Sequence, residues 1–116
     1  MSDYYFYIIE SLRGRAGFGI TSVPHERNKQ YTAHAGDRVK FKYLYHGLRA
    51  HAKALERILK VQFVDQLWKV GDWETEWLDE LTAEQLKDIV DTLISERHIR
   101  VSLIATDFDF ESPGLG

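Results

Sequence analysis

The pattern of apolar and polar positions switches between period two and a helical period along the chain. Tyr5-Phe6-Tyr7-Ile8-Ile9 is a run of aromatic and β-branched residues that predicts a strand. Ser11-Leu12-Arg13-Gly14-Arg15-Ala16 supplies a turn, and Gly17-Phe18-Gly19-Ile20-Thr21 predicts the returning strand, with glycines where backbone or ligand must approach closely. Ser22 and Pro24 mark a helix start, a hydroxyl cap followed by a proline in the first turn, where its missing N–H costs nothing. Arg27 and Tyr31 lie four apart on that helix and share a face. After the turn Ala35-Gly36-Asp37, the alternating run from Val39 to Tyr45 predicts a third strand, closed by His46-Gly47.

The period then lengthens. From Leu48 to about Phe63, Leu48, Ala52, Leu55, Leu59 and Gln62 or Phe63 form one apolar stripe, with Ile58 widening it and Glu56 on its shoulder. Residues 64–81 are aromatic and acidic, including Trp68, Trp73 and Trp77. Thr82-Ala83-Glu84-Gln85 is a capping box, and Leu86, Ile89, Val90, Leu93 and Ile94 give the apolar face of the helix it opens. Residues 98–104 predict a short strand, and Thr106–Gly116 an acidic, flexible tail. The expected organisation is one domain over 1–105, with the tail occupying 106–116. The expected class is α+β: a small three-stranded antiparallel sheet flanked by helices, with a C-terminal helix and strand extension.

Length and composition narrow the possibilities. The chain has 116 residues, enough for one modest core. It has no cysteine, which excludes disulfides and thiolate chemistry. No signal-peptide pattern or membrane-spanning window is visible, so a cytoplasmic protein is expected, in the host cytoplasm if phage-encoded. The five histidines, His25, His34, His46, His51 and His98, show no metal-ligand pairing. Net charge is −3, but residues 1–60 hold 11 Lys/Arg against 5 Asp/Glu, and residues 61–116 hold 4 against 13. The asymmetry predicts a basic working face on the first half and suits a nucleic-acid partner.

Several of these residues stand in a known register. Tyr5-Phe6-Tyr7 and Gly17-Phe18-Gly19 place Tyr7 and Gly17 ten apart, and Thr21, Arg27 and Tyr31 fall two, eight and twelve after Gly19. This stretch resembles the opening of a GIY-YIG nuclease domain. Ala50-His51-Ala52-Lys53-Ala54-Leu55-Glu56 is similar to the family's glutamate-bearing helix, and Glu76-Trp77-Leu78 resembles a Glu-Trp-Phe run of a phage-rich branch. Two positions depart from the pattern: Gly17 stands where the family carries tyrosine, and Tyr5 where it carries glycine. The Asn found downstream in other branches is absent, since no Asn follows position 28. The likeness covers residues 4–60 well, 61–81 weakly and the rest not at all.

The resemblance implies a metal-dependent DNA endonuclease that hydrolyses phosphodiester bonds. It implies Glu56 as the single carboxylate for Mg²⁺ (or Mn²⁺), an ion that keeps several waters and takes substrate phosphate oxygens. Arg27 would grip the scissile phosphate with its two-pronged guanidinium. Tyr7 would be the general base or a proton relay, and since a free phenol titrates near about 10, neighbouring cations would have to lower it. Tyr31 stands where many relatives carry His and would bind the phosphate or orient Tyr7. Arg13, Arg15, Lys29, Lys40 and Lys42 are the expected DNA contacts. Specificity would be low or supplied by a protein partner, and oligomeric state is open.

The same residues have plainer roles. Tyr7 and the tryptophans would serve as core, Arg27 would pair with Glu26 or Tyr31, and Glu56 with Lys53, Arg57 or Lys60. Arg13 and Arg15 would be solvated turn residues. The alternative function is a catalytically degenerate GIY-YIG fold that binds nucleic acid or a protein partner without cutting. A second alternative is an interaction module whose acidic half meets a basic partner.

Overall fold

The computed structural model describes residues 3–11, 16–22, 39–64, 67–68, 76–78 and 81–108, with the backbone alone at 11, 39–40, 67–68, 76–77 and 107–108. The class is α+β. In chain order the elements are β1 (Asp3–Ser11), β2 (Ala16–Thr21), β3 (Val39–Leu48), α1 (Arg49–Gln62), β4 (Leu67–Trp68), β5 (Glu76–Leu78), α2 (Ala83–Arg97) and β6 (Val101–Phe108). The three expected strands form the middle of a larger antiparallel sheet in the order β4-β5-β2-β1-β3-β6. Four strands are long, and β4 and β5 are short additions at one edge.

β1 is the centre of the fold because its aromatic and β-branched run suits burial on both sides. Phe6, Tyr7, Ile8 and Ile9 are all fully buried. Period-two alternation sends Phe6 and Ile8 to one face, where they pack with Phe18, Tyr45, Leu55, Leu59, Leu86 and Val90. Both helices lie on that face. Tyr7 and Ile9 project from the other face, where Phe41 and Leu44 are also buried. Lys42 is an extra residue on β3, between Phe41 opposite Ile9 and Tyr43 opposite Ile8. The bulge puts Tyr43 and Phe41 on opposite faces and keeps each in phase with its partner on β1.

The helices follow their sequence signals. α1 buries Ala52, Leu55 and Leu59, with Phe63 just beyond its end. Leu48, expected in the stripe, is 45% exposed because it still belongs to β3 and ends before the helical period begins. α2 opens on the predicted capping box: Gln85 N–H donates to Thr82 Oγ1 at 3.1 Å, and Thr82 N–H to Gln85 Oε1 at 3.0 Å. It ends at His98, whose φ of 55° is left-handed, with Ile99 N–H reaching back to the Ile94 carbonyl at 3.1 Å.

Two expectations change. His46-Gly47 does not close β3, which runs on to Leu48. Gly47 is there because β6 comes close: a Cβ at this position would lie 2.4 Å from the Arg100 carbonyl oxygen. The tail expected from 106 begins instead as strand, with Thr106 paired to Tyr43 and Phe108 to Phe41. β6 carries its own bulge at Ile104, a residue 53% exposed on this outer strand. The helix expected from Ser22 and the tail beyond 108 lie outside the described residues.

Candidate functional site

The hairpin register places Tyr7 directly opposite Gly19, and Thr21 opposite Tyr5. Strand geometry puts Tyr7 and Gly19 on the same face. The Tyr7 ring lies over Gly19, and a Cβ built there would fall 2.4 Å from the phenolic oxygen. Phe41 packs on the same ring at a centroid separation of 5.4 Å, and Thr21 is buried nearby on the neighbouring strand. The glycine of the second triplet therefore makes room for the tyrosine of the first.

β5 adds a third segment. The Glu76-Trp77-Leu78 run pairs antiparallel with β2, setting Trp77 beside Gly17 and Glu76 beside Phe18. Gly17, where the resembling family carries tyrosine, thus lies between Ile9 on β1 and Trp77 on β5. Three stretches separated in sequence, around Tyr7, Gly17 and Trp77, become neighbouring strands.

Glu56 sits on α1, on the shoulder between the buried stripe and solvent. Its side chain is 15% exposed, and Lys60 Nζ lies 3.7 Å from Oε1, one of the three partners expected on the plain reading. The helix packs on the Phe6–Ile8 face, whereas Tyr7 projects from the opposite one. The sequence register alone does not show that separation. A largely buried carboxylate held by Lys60 would offer a hard cation such as Mg²⁺ one protein ligand, with water completing most of the shell. Among the described residues, no three His, Asp or Glu side chains form a metal cluster.

The expected DNA contacts divide. Lys42 is largely buried, with Nζ 3.5 Å from Glu84 on α2, so its charge is used between sheet and helix. Lys40 lies on β3 opposite Glu10, a backbone placement only. Arg13, Arg15, Arg27, Lys29 and Tyr31 lie outside the described residues, as does Trp73.

Sequence reasoning missed a polar network on the helix face. The Tyr45 hydroxyl donates to Asp91 Oδ1 at 2.8 Å, and Lys87 Nζ holds Oδ2 of the same carboxylate. Lys87 also lies over the Tyr43 ring, 5.5 Å from its centroid. Burial, then the Asp91 hydrogen bond, pushes the Tyr45 phenol well above its ordinary range. The same carboxylate raises the Lys87 ammonium. The Lys87–Asp91 spacing was readable along one helix, but the Tyr45 partner, 46 residues away, was not. A second tie joins α1 to the entry of β6: the Arg100 N–H donates to His51 Nδ1 at 3.0 Å.

No protein-family model, curated protein or solved structure matches the chain. Among the described residues, no helix is long and apolar enough to cross a membrane.

Proposed function

We propose that the chain is a small metal-dependent DNA endonuclease built on a GIY-YIG-like sheet. The observation that carries this reading is the convergence of its three motif segments. The strands bearing Tyr7, Gly17–Gly19 and Glu76–Leu78 lie side by side, with Tyr7 seated over Gly19. Phosphodiester hydrolysis needs an activated water, charge neutralisation at phosphorus and support for the leaving oxygen. Mg²⁺ or Mn²⁺, held through Glu56, would supply charge neutralisation when bound. The resemblance assigns Tyr7 the proton of the attacking water, although Tyr7 projects from the sheet face opposite α1 and Glu56, and it assigns Arg27 and Tyr31 the phosphate. A protein partner would supply sequence specificity.

One observation favours a second reading. Tyr7 is fully buried and projects from the face that α1 does not cover, so its hydroxyl serves packing well and proton transfer poorly. On that reading the fold binds nucleic acid without cutting it. Supercoiled plasmid incubated with purified protein and Mg²⁺ or Mn²⁺ separates the two. Nicked or linear product supports the nuclease. Retention of intact plasmid on a gel supports the binder.

A further inference from the structure

We propose that the exposed basic flank of α1, formed by Arg49, Lys53 and Arg57, docks the phosphate backbone of duplex DNA. These residues recur every fourth position, so their side chains leave the helix along one flank. All three are exposed. Among the described residues, no carboxylate lies within ion-pair distance of Lys53 or Arg57, and the Arg49 guanidinium sits over the Tyr4 ring at 5.7 Å. Lys60 continues the flank beside Glu56.

The exposed basic row carries the argument, and a contrast between the N-terminal ends of the two helices supports it. α2 has a capping box, Glu84 in its first turn, Arg97 in its last and a Lys87–Asp91 pair one turn apart. α1 opens differently. It has no side-chain cap and no acid in its first turn, and Arg49 places a cation at the positive end of its dipole. Its like-charge pairs Arg49/Lys53 and Lys53/Arg57 repel one another along the flank. Among the described residues, the Tyr4 ring meets Arg49 alone, and a polyanion laid along the flank would relieve the repulsion among all three cations. From Arg49 to Arg57 the helix rises about 12 Å, the length of three to four phosphate steps on one strand.

The choice of DNA rests on the nuclease reading; the anion-binding flank does not. The test is Lys53→Ala/Arg57→Ala, compared with the parent for binding of a short labelled DNA duplex in EDTA across a salt series. Both substitutions keep good helix formers and remove repulsion, so thermal stability should hold or rise slightly. Affinity should fall on the order of tenfold at low salt, and the log–log salt slope should flatten by about 2. A control pair, Thr92→Glu/Ser95→Glu on exposed positions of α2, lowers net charge equally and should leave binding near parental. Parental affinity and slope in the α1 variant, or equal weakening in the control, would overturn the proposal. So would a parent that binds no DNA, or that binds duplex RNA or polyglutamate more tightly through the same residues. Plasmid nicking is scored separately. Flank-dependent binding without nicking removes only the nuclease reading, and nicking with flank-independent binding removes only this one.

Discussion

The Tyr7 hydroxyl occupies the space that a side chain at Gly19 would need: a Cβ there would lie 2.4 Å from the oxygen and 2.7 Å from the ring carbon bearing it. Backbone conformation is not the reason for this glycine, since its φ is not left-handed. The reason is the ring opposite it. Tyr7 is fully buried and backed by Phe41, so it has little room to move aside.

Gly19→Ala should therefore destabilise the fold by about 1–3 kcal/mol, the usual scale for overpacking. In a Tyr7→Leu background the same substitution should cost clearly less, because the phenol tip is gone. Denaturant unfolding of the four proteins in this cycle gives the coupling directly. An equal cost in both backgrounds would mean that Gly19 is required for something other than Tyr7.

The Tyr45–Asp91 bond predicts a specific alkaline response. The folded phenol is raised, so the unfolded chain ionises first as pH climbs past about 10. Stability contributed by the protonated phenol is complete below that pH and is lost above it, with a slope of up to about 1.4 kcal/mol per pH unit. Lys87 is shifted in the same direction and adds to the loss. Tyr45→Phe should cost about 1.5–3 kcal/mol at pH 7, since it removes a hydrogen bond to a charged carboxylate. Its deficit against the parent should shrink between pH 10 and 11, as the parent alone loses the Tyr45 contribution. Urea unfolding at several pH values measures this, and a deficit constant from pH 8 to 11 would rule out Tyr45 as the titrating group.

How far the sequence revealed this molecule depended on how local each signal was. The α2 cap and apolar face were legible because a capping box spans one turn. The β1–β2 hairpin was legible because its strands adjoin in sequence. Gly47 reads as a turn in sequence because glycine marks both turns and close backbone contacts, and only the position of Arg100 tells them apart. β6 beside β3 joins residues far apart in the chain, which no local periodicity can announce. The relation of Tyr7 to Glu56 was hidden for a related reason. Spacing orders residues along the chain, but it does not say which sheet face a later helix will cover. The basic flank of α1 was readable from its four-residue spacing and was overshadowed by the apolar stripe on the same helix.

The end of α2 offers a test of local backbone cost. His98 is exposed and holds a left-handed φ of 55°, where a Cβ is unfavourable and glycine is the usual occupant. His98→Gly should stabilise the protein by roughly 0.5–1 kcal/mol and raise its melting temperature. A lower melting temperature would show that the imidazole makes a stabilising contribution outweighing the backbone strain.

The decisive prediction concerns Glu56 and Tyr7 together. Glu56→Gln keeps shape and helix propensity but removes the charge that a divalent cation requires. It also leaves Lys60 without that carboxylate's charge, a partly exposed pair worth about 1 kcal/mol or less. The fold should survive, DNA affinity should hold or improve as negative charge leaves a phosphate site, and cleavage should fall by roughly 10²-fold or more. Tyr7→Phe removes only the hydroxyl over Gly19, so the buried ring should still pack. If that hydroxyl handles the proton of the attacking water, cleavage should drop by about 10²- to 10⁴-fold while binding stays level. Plasmid nicking rates in Mg²⁺ and Mn²⁺, beside duplex binding in EDTA, supply all the readouts. Loss of cleavage in both variants with binding intact assigns the chemistry to these residues. Parental cleavage by Glu56→Gln gives Glu56 a structural role, as in its pair with Lys60. Should the parent and both variants bind duplex equally and leave every plasmid supercoiled, Tyr7 is a core residue and the protein is a binder.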